Sequence, residues 1–138
     1  MSNYWIAIVG DKLATLSTEK KLWWCLPLTA KEGDIVLTYC PVSSNVKRQG
    51  IFSECSVVLA PQNKHPNNYF CSGFGGELAY AELDLKKLFA VHLVASQMKK
   101  DPLLRETSFV RKNFQATTFP IEKSFYKQID LMLHKLNE

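Results

Sequence analysis

Gly33-Asp34-Ile35-Val36-Leu37-Thr38-Tyr39-Cys40-Pro41 is the stretch from which the rest of the chain can be read. Gly-Asp is turn chemistry, and the six residues after it are β-branched, aromatic or small and apolar, as a buried strand requires. Pro41 ends that strand because it lacks an N–H and fixes its own φ. After a loop carrying Lys47 and Arg48, Gly50 opens a second long strand over Ile51–Ala60. The two runs predict an antiparallel pair.

Upstream, Tyr4–Val9 is a third strand that stops at Gly10-Asp11. Lys12–Leu22 is helix-compatible, with Ser17 or Thr18 as candidate caps, and places Trp23-Trp24-Cys25 at a helix-to-loop junction. Downstream, Pro61–Gly76 is dense in Asn, Pro and Gly, which is turn chemistry, yet holds Tyr69, Phe70 and Phe74. Glu77–Leu85 alternates well enough for another strand, extending to Phe89. Leu93–Lys100 predicts a short helix, Phe109–Phe114 a basic turn and Thr117–Phe119 a short strand. Ile121–Leu136 predicts a closing amphipathic helix with Phe125, Ile129, Leu133 and Leu136 on one face. Strands dominate and helices sit at the ends, which points to a small α+β barrel.

Composition agrees with a single domain over residues 1–138: 46% of residues are hydrophobic and 22% charged, close to the average for folded chains. No apolar run approaches the roughly 20 residues of a membrane-spanning helix, so a membrane partner is not expected. The N-terminus enters a strand without the basic flank and apolar region of a secretory signal. Cys25, Cys40, Cys55 and Cys71 stand far apart with no Cys-x-x-Cys pair, so buried free thiols, no metal site and a cytoplasmic location are expected. Lys and Arg total 17 against 13 acids, a net charge of +4. That balance permits nucleic acid without requiring it. The placement is more informative, because Lys99, Lys100, Arg105, Arg111 and Lys112 share a short segment whose acids are Asp101 and Glu106. Together with Arg48, these are the candidates for contacts to a nucleic-acid backbone, although a solvated face is the commoner fate of such a run.

Groups for catalysis are scattered. His65, His92 and His134 fall in a loop, an apolar strand and the last helix, and none shares a nucleophile or metal motif with another residue. Gly73-Phe74-Gly75-Gly76 lacks the Lys-Ser/Thr and the strand-to-helix switch of a phosphate cradle. No enzyme activity and no cofactor are expected, and a small hydrolase or nuclease finds no residue set to carry it. Trp23-Trp24 is different, because adjacent indoles diverge and both do not fit easily in one core. A tryptophan face stacks on a base for about 1–3 kcal/mol, and a second aromatic from Tyr69, Phe70 or Phe74 would complete a sandwich around an extruded base. Simple core packing is the alternative reading of the same residues.

The order and spacing of Tyr4-Trp5-Ile6-Ala7-Ile8-Val9, Trp23-Trp24-Cys25, Gly33-Asp34 through Pro41, Gly50-Ile51-Phe52, Phe109–Phe114 and Thr118-Phe119-Pro120-Ile121 resemble the EVE domain. That domain is a branch of the PUA-like superfamily, which also holds the YTH readers of methylated adenine. The resemblance runs nearly end to end. It implies a partly open, five- to six-stranded β-barrel flanked by short helices and a C-terminal helix, and a binding module for a single modified base. It further implies a pocket with Trp24 as one wall and Trp23 as the fallback. The Cys25 carbonyl would lie on the base edge and Tyr69, Phe70 or Phe74 opposite, with Tyr39, Gly10 and Asp11 around it. Asp11 stands where relatives carry a different polar pattern, and a carboxylate accepts from an exocyclic amine, which favours a modified cytosine over methyladenine. Two other readings stay open: a PUA-like module that binds structured RNA by shape, and an accessory subunit of a defence or modification system whose protein partner carries the effector activity.

Overall fold

Strand alternation in Tyr4–Ile8 (β1) and Ile35–Cys40 (β3) sends successive side chains into two different cores, so both faces of the sheet are buried. These strands belong to a computed structural model that describes residues 3–10, 12–41, 46–62, 78–107, 110 and 118–138. The other elements are helix α1 (Leu13–Glu19), β2 (Lys21–Pro27), β4 (Gly50–Gln62), β5 (Leu78–Leu93), helix α2 (Ala95–Lys99), β6 (Thr118–Ile121) and helix α3 (Lys123–Leu136). Single 3-10 turns lie at Val46–Arg48 and Leu104–Glu106.

Among the described residues the strands form one sheet in the order β2-β5-β4-β3-β1-β6. β1 and β3 run parallel and the other neighbours antiparallel. The predicted β3–β4 pair is present, with Val36 opposite Cys55 and Cys40 opposite Gly50. β4 and β5 are 13 and 16 residues long and slip register several times against each other. Such bulges bend a pair of strands and tighten its twist. The sheet therefore curls until its two edges approach, and the Thr118 hydroxyl on β6 donates to the Cys25 carbonyl on β2 at 3.1 Å. The result is the partly open barrel that the sequence predicts.

Trp5, Val9, Leu16, Leu22, Leu26, Val36, Phe52 and Leu83 fill the concave side. Ile6, Leu37, Tyr39, Ile51, Leu93, Met98, Leu104, Ile129 and Leu133 pack on the other side, under α3. Asp34, 1% exposed, joins the start of β3 to β1. Its Oδ1 accepts from the Asn3 N–H at 2.9 Å, and its Oδ2 accepts from the Trp5 indole N–H at 3.0 Å and the Lys31 N–H at 2.9 Å. Gly50 has φ +100°, and a Cβ there would lie 2.5 Å from the Leu93 carbonyl oxygen, so β4 can start against the end of β5 only with glycine. At the far end, Asn137 clasps β5. Its Oδ1 accepts from the Val91 N–H at 2.8 Å, and its Nδ2 donates to the Val91 carbonyl at 3.0 Å and the Leu133 carbonyl at 2.8 Å.

Several boundaries differ from expectation. The helix predicted over Lys12–Leu22 is only seven residues, Leu13–Glu19, because Lys20 turns to the left-handed conformation at φ 63° and closes it. Ser17 and Thr18 lie inside that helix and cap nothing; its N-cap is Lys12, without a side-chain cap bond. Trp23-Trp24-Cys25 therefore sits within a strand and not at a helix-to-loop junction. β5 runs on to Leu93, so the following helix starts at Ala95, and Ile121 belongs to β6.

Candidate nucleic-acid interface

Because β2 is a strand, Trp23 and Trp24 point to opposite faces, for a simpler reason than a helix end would supply. Leu22, Trp24 and Leu26 share the concave face. Both leucines are buried, whereas Trp24 packs against the same core and stays partly exposed. Across the ladder Trp24 stands opposite Ala81, and Leu26 opposite Ala79. Small residues on β5 thus leave the indole room that a larger pair would fill. Trp23 and Cys25 take the other face, beside Glu82 and Tyr80, and Glu82 pairs with Lys21 at 3.4 Å.

The turn after β1 closes over the same concave core. Val9 is buried in it, Leu13 packs on it, and Gly10 between them has φ +73° with open space where a side chain would project. Val9 is held by its N–H to the Tyr39 carbonyl at 3.0 Å, and the Lys12 N–H donates to the Gly10 carbonyl at 3.0 Å. Trp24, Gly10 and the Cys25 carbonyl are therefore supported by one core. Tyr39 is not: its side chain is buried on the α3 side, where burial pushes its phenol above the usual value, aided by Cys40. Asp11, Tyr69, Phe70, Phe74, Arg111 and Lys112 lie outside the described residues.

Cys25 is disulfide-bonded, which corrects the expectation of a free thiol there. Its outward position on β2 distinguishes it from Cys40 and Cys55, which are free and buried in the concave core. Burial pushes the Cys55 thiol up to about 11 despite its contact with the Ser53 hydroxyl, so it is not a reactive thiolate. Thr38 and Ser53 share a short hydrogen bond beside it. Among the described residues no group of three or more His, Cys, Asp or Glu is placed to hold a metal. His134 is tied to its own helix through the Asp130 carbonyl at 2.8 Å, and His92 is buried near Phe52.

Lys99, Lys100 and Arg105 are exposed, and their segment is anchored on the α3 side by buried Met98 and Leu104. Asp101 organises it. Burial raises the Asp101 pKa, but hydrogen bonds from the Leu104 N–H, the Gln128 side chain and the Leu103 N–H outweigh this and hold the carboxyl below its ordinary value. Arg105 lies 3.6 Å from Glu106. Arg48 is partly exposed on the turn before β4. Lys99, Lys100 and Arg105 are anchored on the other side of the sheet from the core that Trp24 packs against, so the structure does not gather them around its indole. The residue that sequence reasoning missed is Thr118. Its bond to Cys25 joins positions 93 apart in the chain, and no local pattern marks such a contact.

A curled, mixed six-stranded sheet with these helices is a PUA-like α+β fold. No family model and no curated protein matches the sequence. Solved structures do match in fold. A hypothetical protein from Leishmania major has TM-score 0.76 at 15% identity, covering 100% of this chain and 98% of its own. A Pseudomonas syringae protein has TM-score 0.74 at 16% identity, covering 94% and 99%. The human THYN1 protein, solved in complex with DNA containing 5-methylcytosine, has TM-score 0.68 at 12% identity, covering 99% of both chains.

Proposed function

We propose that this chain is a nucleic-acid-binding module that takes a modified base against Trp24. One observation carries the reading: on the concave face of β2, between two buried leucines and opposite Ala81, Trp24 keeps part of its indole accessible. A residue of that size left open on an otherwise closed face is a stacking platform, and bases of every kind present a π-face to it. The likeness in fold to THYN1, which was solved on 5-methylcytosine DNA, supports the same use here and favours a modified cytosine. A buried methyl adds only about 0.8 kcal/mol, so stacking supplies most of the affinity at the pocket. Lys99, Lys100 and Arg105 contribute the salt-dependent part through phosphates. The module binds without turning over its ligand.

Anisotropy titrations test this with short DNA and RNA oligonucleotides carrying 5-methylcytosine, 5-hydroxymethylcytosine, N6-methyladenine or no modification, over a range of salt. One modified oligonucleotide is expected to bind best. Trp24→Ala is expected to weaken that binding by about tenfold or more, the value of one lost stack, and to abolish the preference. Salt-sensitive binding that is indifferent to modification and to Trp24, but lost on replacing Arg105, would instead establish recognition by shape and charge.

A further inference from the structure

We propose that Thr118 makes the edge of this pocket acceptor-only, and so selects bases that carry an exocyclic amine over their keto counterparts. The inference rests on the base-binding reading of Trp24. Its starting point is the bond that closes the barrel, in which the Thr118 Oγ1 lies 3.1 Å from the carbonyl oxygen of Cys25, the residue directly after Trp24. A carbonyl cannot donate, so the threonine proton is committed to it. A hydroxyl has one proton and two lone pairs, and once that proton is committed Thr118 can only accept. The Cys25 carbonyl can also only accept. Thr118 stands opposite Ala7, a member of the core that Trp24 packs against, so a pair of oxygens with no hydrogen to offer stands at the edge of the face that carries the indole. Thr118 is partly exposed, as is Trp24.

An acceptor pair of this kind meets the amine of cytosine or adenine with a hydrogen bond and meets a keto oxygen with lone-pair repulsion. The sharpest contrast is 5-methylcytosine against thymine. The two bases share the 5-methyl group and a similar stacking face, and differ in amine against keto at C4 and in the protonation of N3. A pocket that read only the methyl and the ring would take both alike. With Thr118 set as an acceptor facing C4, thymine is disfavoured, and the methyl mark is kept distinct from the ordinary base that shares its methyl group.

The test uses two single-stranded DNA oligonucleotides that differ at one central position, 5-methylcytosine or thymine, so that no base pair has to be broken in either. Wild type is expected to prefer 5-methylcytosine by about tenfold, the lower part of the range for a good polar contact to a base. Thr118→Val keeps the shape, removes the hydroxyl and is expected to cut that ratio at least threefold. Thr118→Ser is expected to retain it. Near-UV circular dichroism and the urea midpoint establish that both variants keep the native fold, and the serine variant carries the test alone if the valine variant does not. Trp24-dependent binding with equal affinity for the two oligonucleotides would overturn the Thr118 assignment and leave the pocket standing. A folded Thr118→Val protein with an unchanged or larger ratio would do the same, by assigning the selection to the Cys25 carbonyl alone, as would loss of the ratio in Thr118→Ser. Binding of both oligonucleotides that ignores Trp24 would overturn the pocket itself.

Discussion

Asp34 shows how one side chain can hold two strands together. Three N–H groups converge on its two oxygens, from the chain before β1, from Trp5 within it and from the turn before β3. All three are donors, so only a group that accepts at both oxygens fits. Asp34→Asn would turn an NH2 towards either the Trp5 and Lys31 donors or the Asn3 donor, leaving at least one buried N–H unmatched. The expected loss is about 2–3 kcal/mol, read as a lower urea midpoint with unchanged slope. An unchanged midpoint would remove Asp34 from this role. The Asp34 that sequence reading treats as part of a turn is thus also the bolt of the β1–β3 pair, and only the structure reveals the second duty, because Trp5 lies 29 residues away in the chain.

At the scale of elements, α3 is joined to the sheet by Tyr126 as well as by its apolar stripe. The Tyr126 ring stacks on Tyr4 at 4.3 Å, and its hydroxyl donates to the Glu54 carboxylate at 2.6 Å. Burial, that hydrogen bond and the surrounding charges of Glu54 and Asp130 all hold the phenol well above its ordinary value. The folded protein therefore keeps a proton that the unfolded chain loses near the ordinary tyrosine value of about 10. The Tyr126 contribution to stability should be level below that pH and fall as pH rises past it. Tyr126→Phe should be less stable at neutral pH by about 1–2 kcal/mol, since Glu54 loses its donor. It should also lose stability less steeply above about pH 10, with Cys55 and Tyr39, whose ionisation burial also opposes, responsible for what decline remains. Urea unfolding of both proteins across this range checks the sign and the slope.

For the whole molecule, legibility in the sequence followed the range of the interactions. Ile35–Cys40 matches its predicted limits because the turn, the β-branched and aromatic run and the proline all lie within nine residues. The apolar stripe of Ile121–Leu136 marks the C-terminal helix and the excess of strands marks a barrel, to which the resemblance adds that it is partly open. β2 was missed because Leu22-Trp23-Trp24-Cys25-Leu26 is apolar throughout and shows no alternation, and because its helix ends at a left-handed lysine where a glycine would have been a signal. The Trp23-Trp24 pair could be singled out from composition, whereas the choice of Trp24 and the place of Gly10 rest on the resemblance. That Tyr39 faces α3, and that Thr118 meets Cys25, depends on how far the sheet curls, which the bulges of β4 and β5 decide. The basic segment could be found as a run of charge, but its layer could not, since buried Met98 and Leu104 set it.

The Asn137 clasp bears on how the molecule behaves in company. β2 pairs with β5 as far as Asp84 and the Lys20 carbonyl before it takes the Leu85 N–H, while at Val91 the side-chain amide of Asn137 supplies the donor and acceptor that a further strand would bring. Leu88 and Val91 are exposed along this stretch, so the same place offers both free backbone groups and apolar side chains once the clasp opens. Such an edge is a template for a second chain. Asn137→Ala should therefore change sociability more than stability. Its thermal transition should depend on protein concentration where that of wild type does not, and light scattering should rise before the core unfolds. Equal scattering from the two proteins would show that Lys86 and Lys87 guard the edge unaided. If the clasp does the guarding, a single amide at the end of the last helix keeps each copy of the chain solitary even where many copies sit close together.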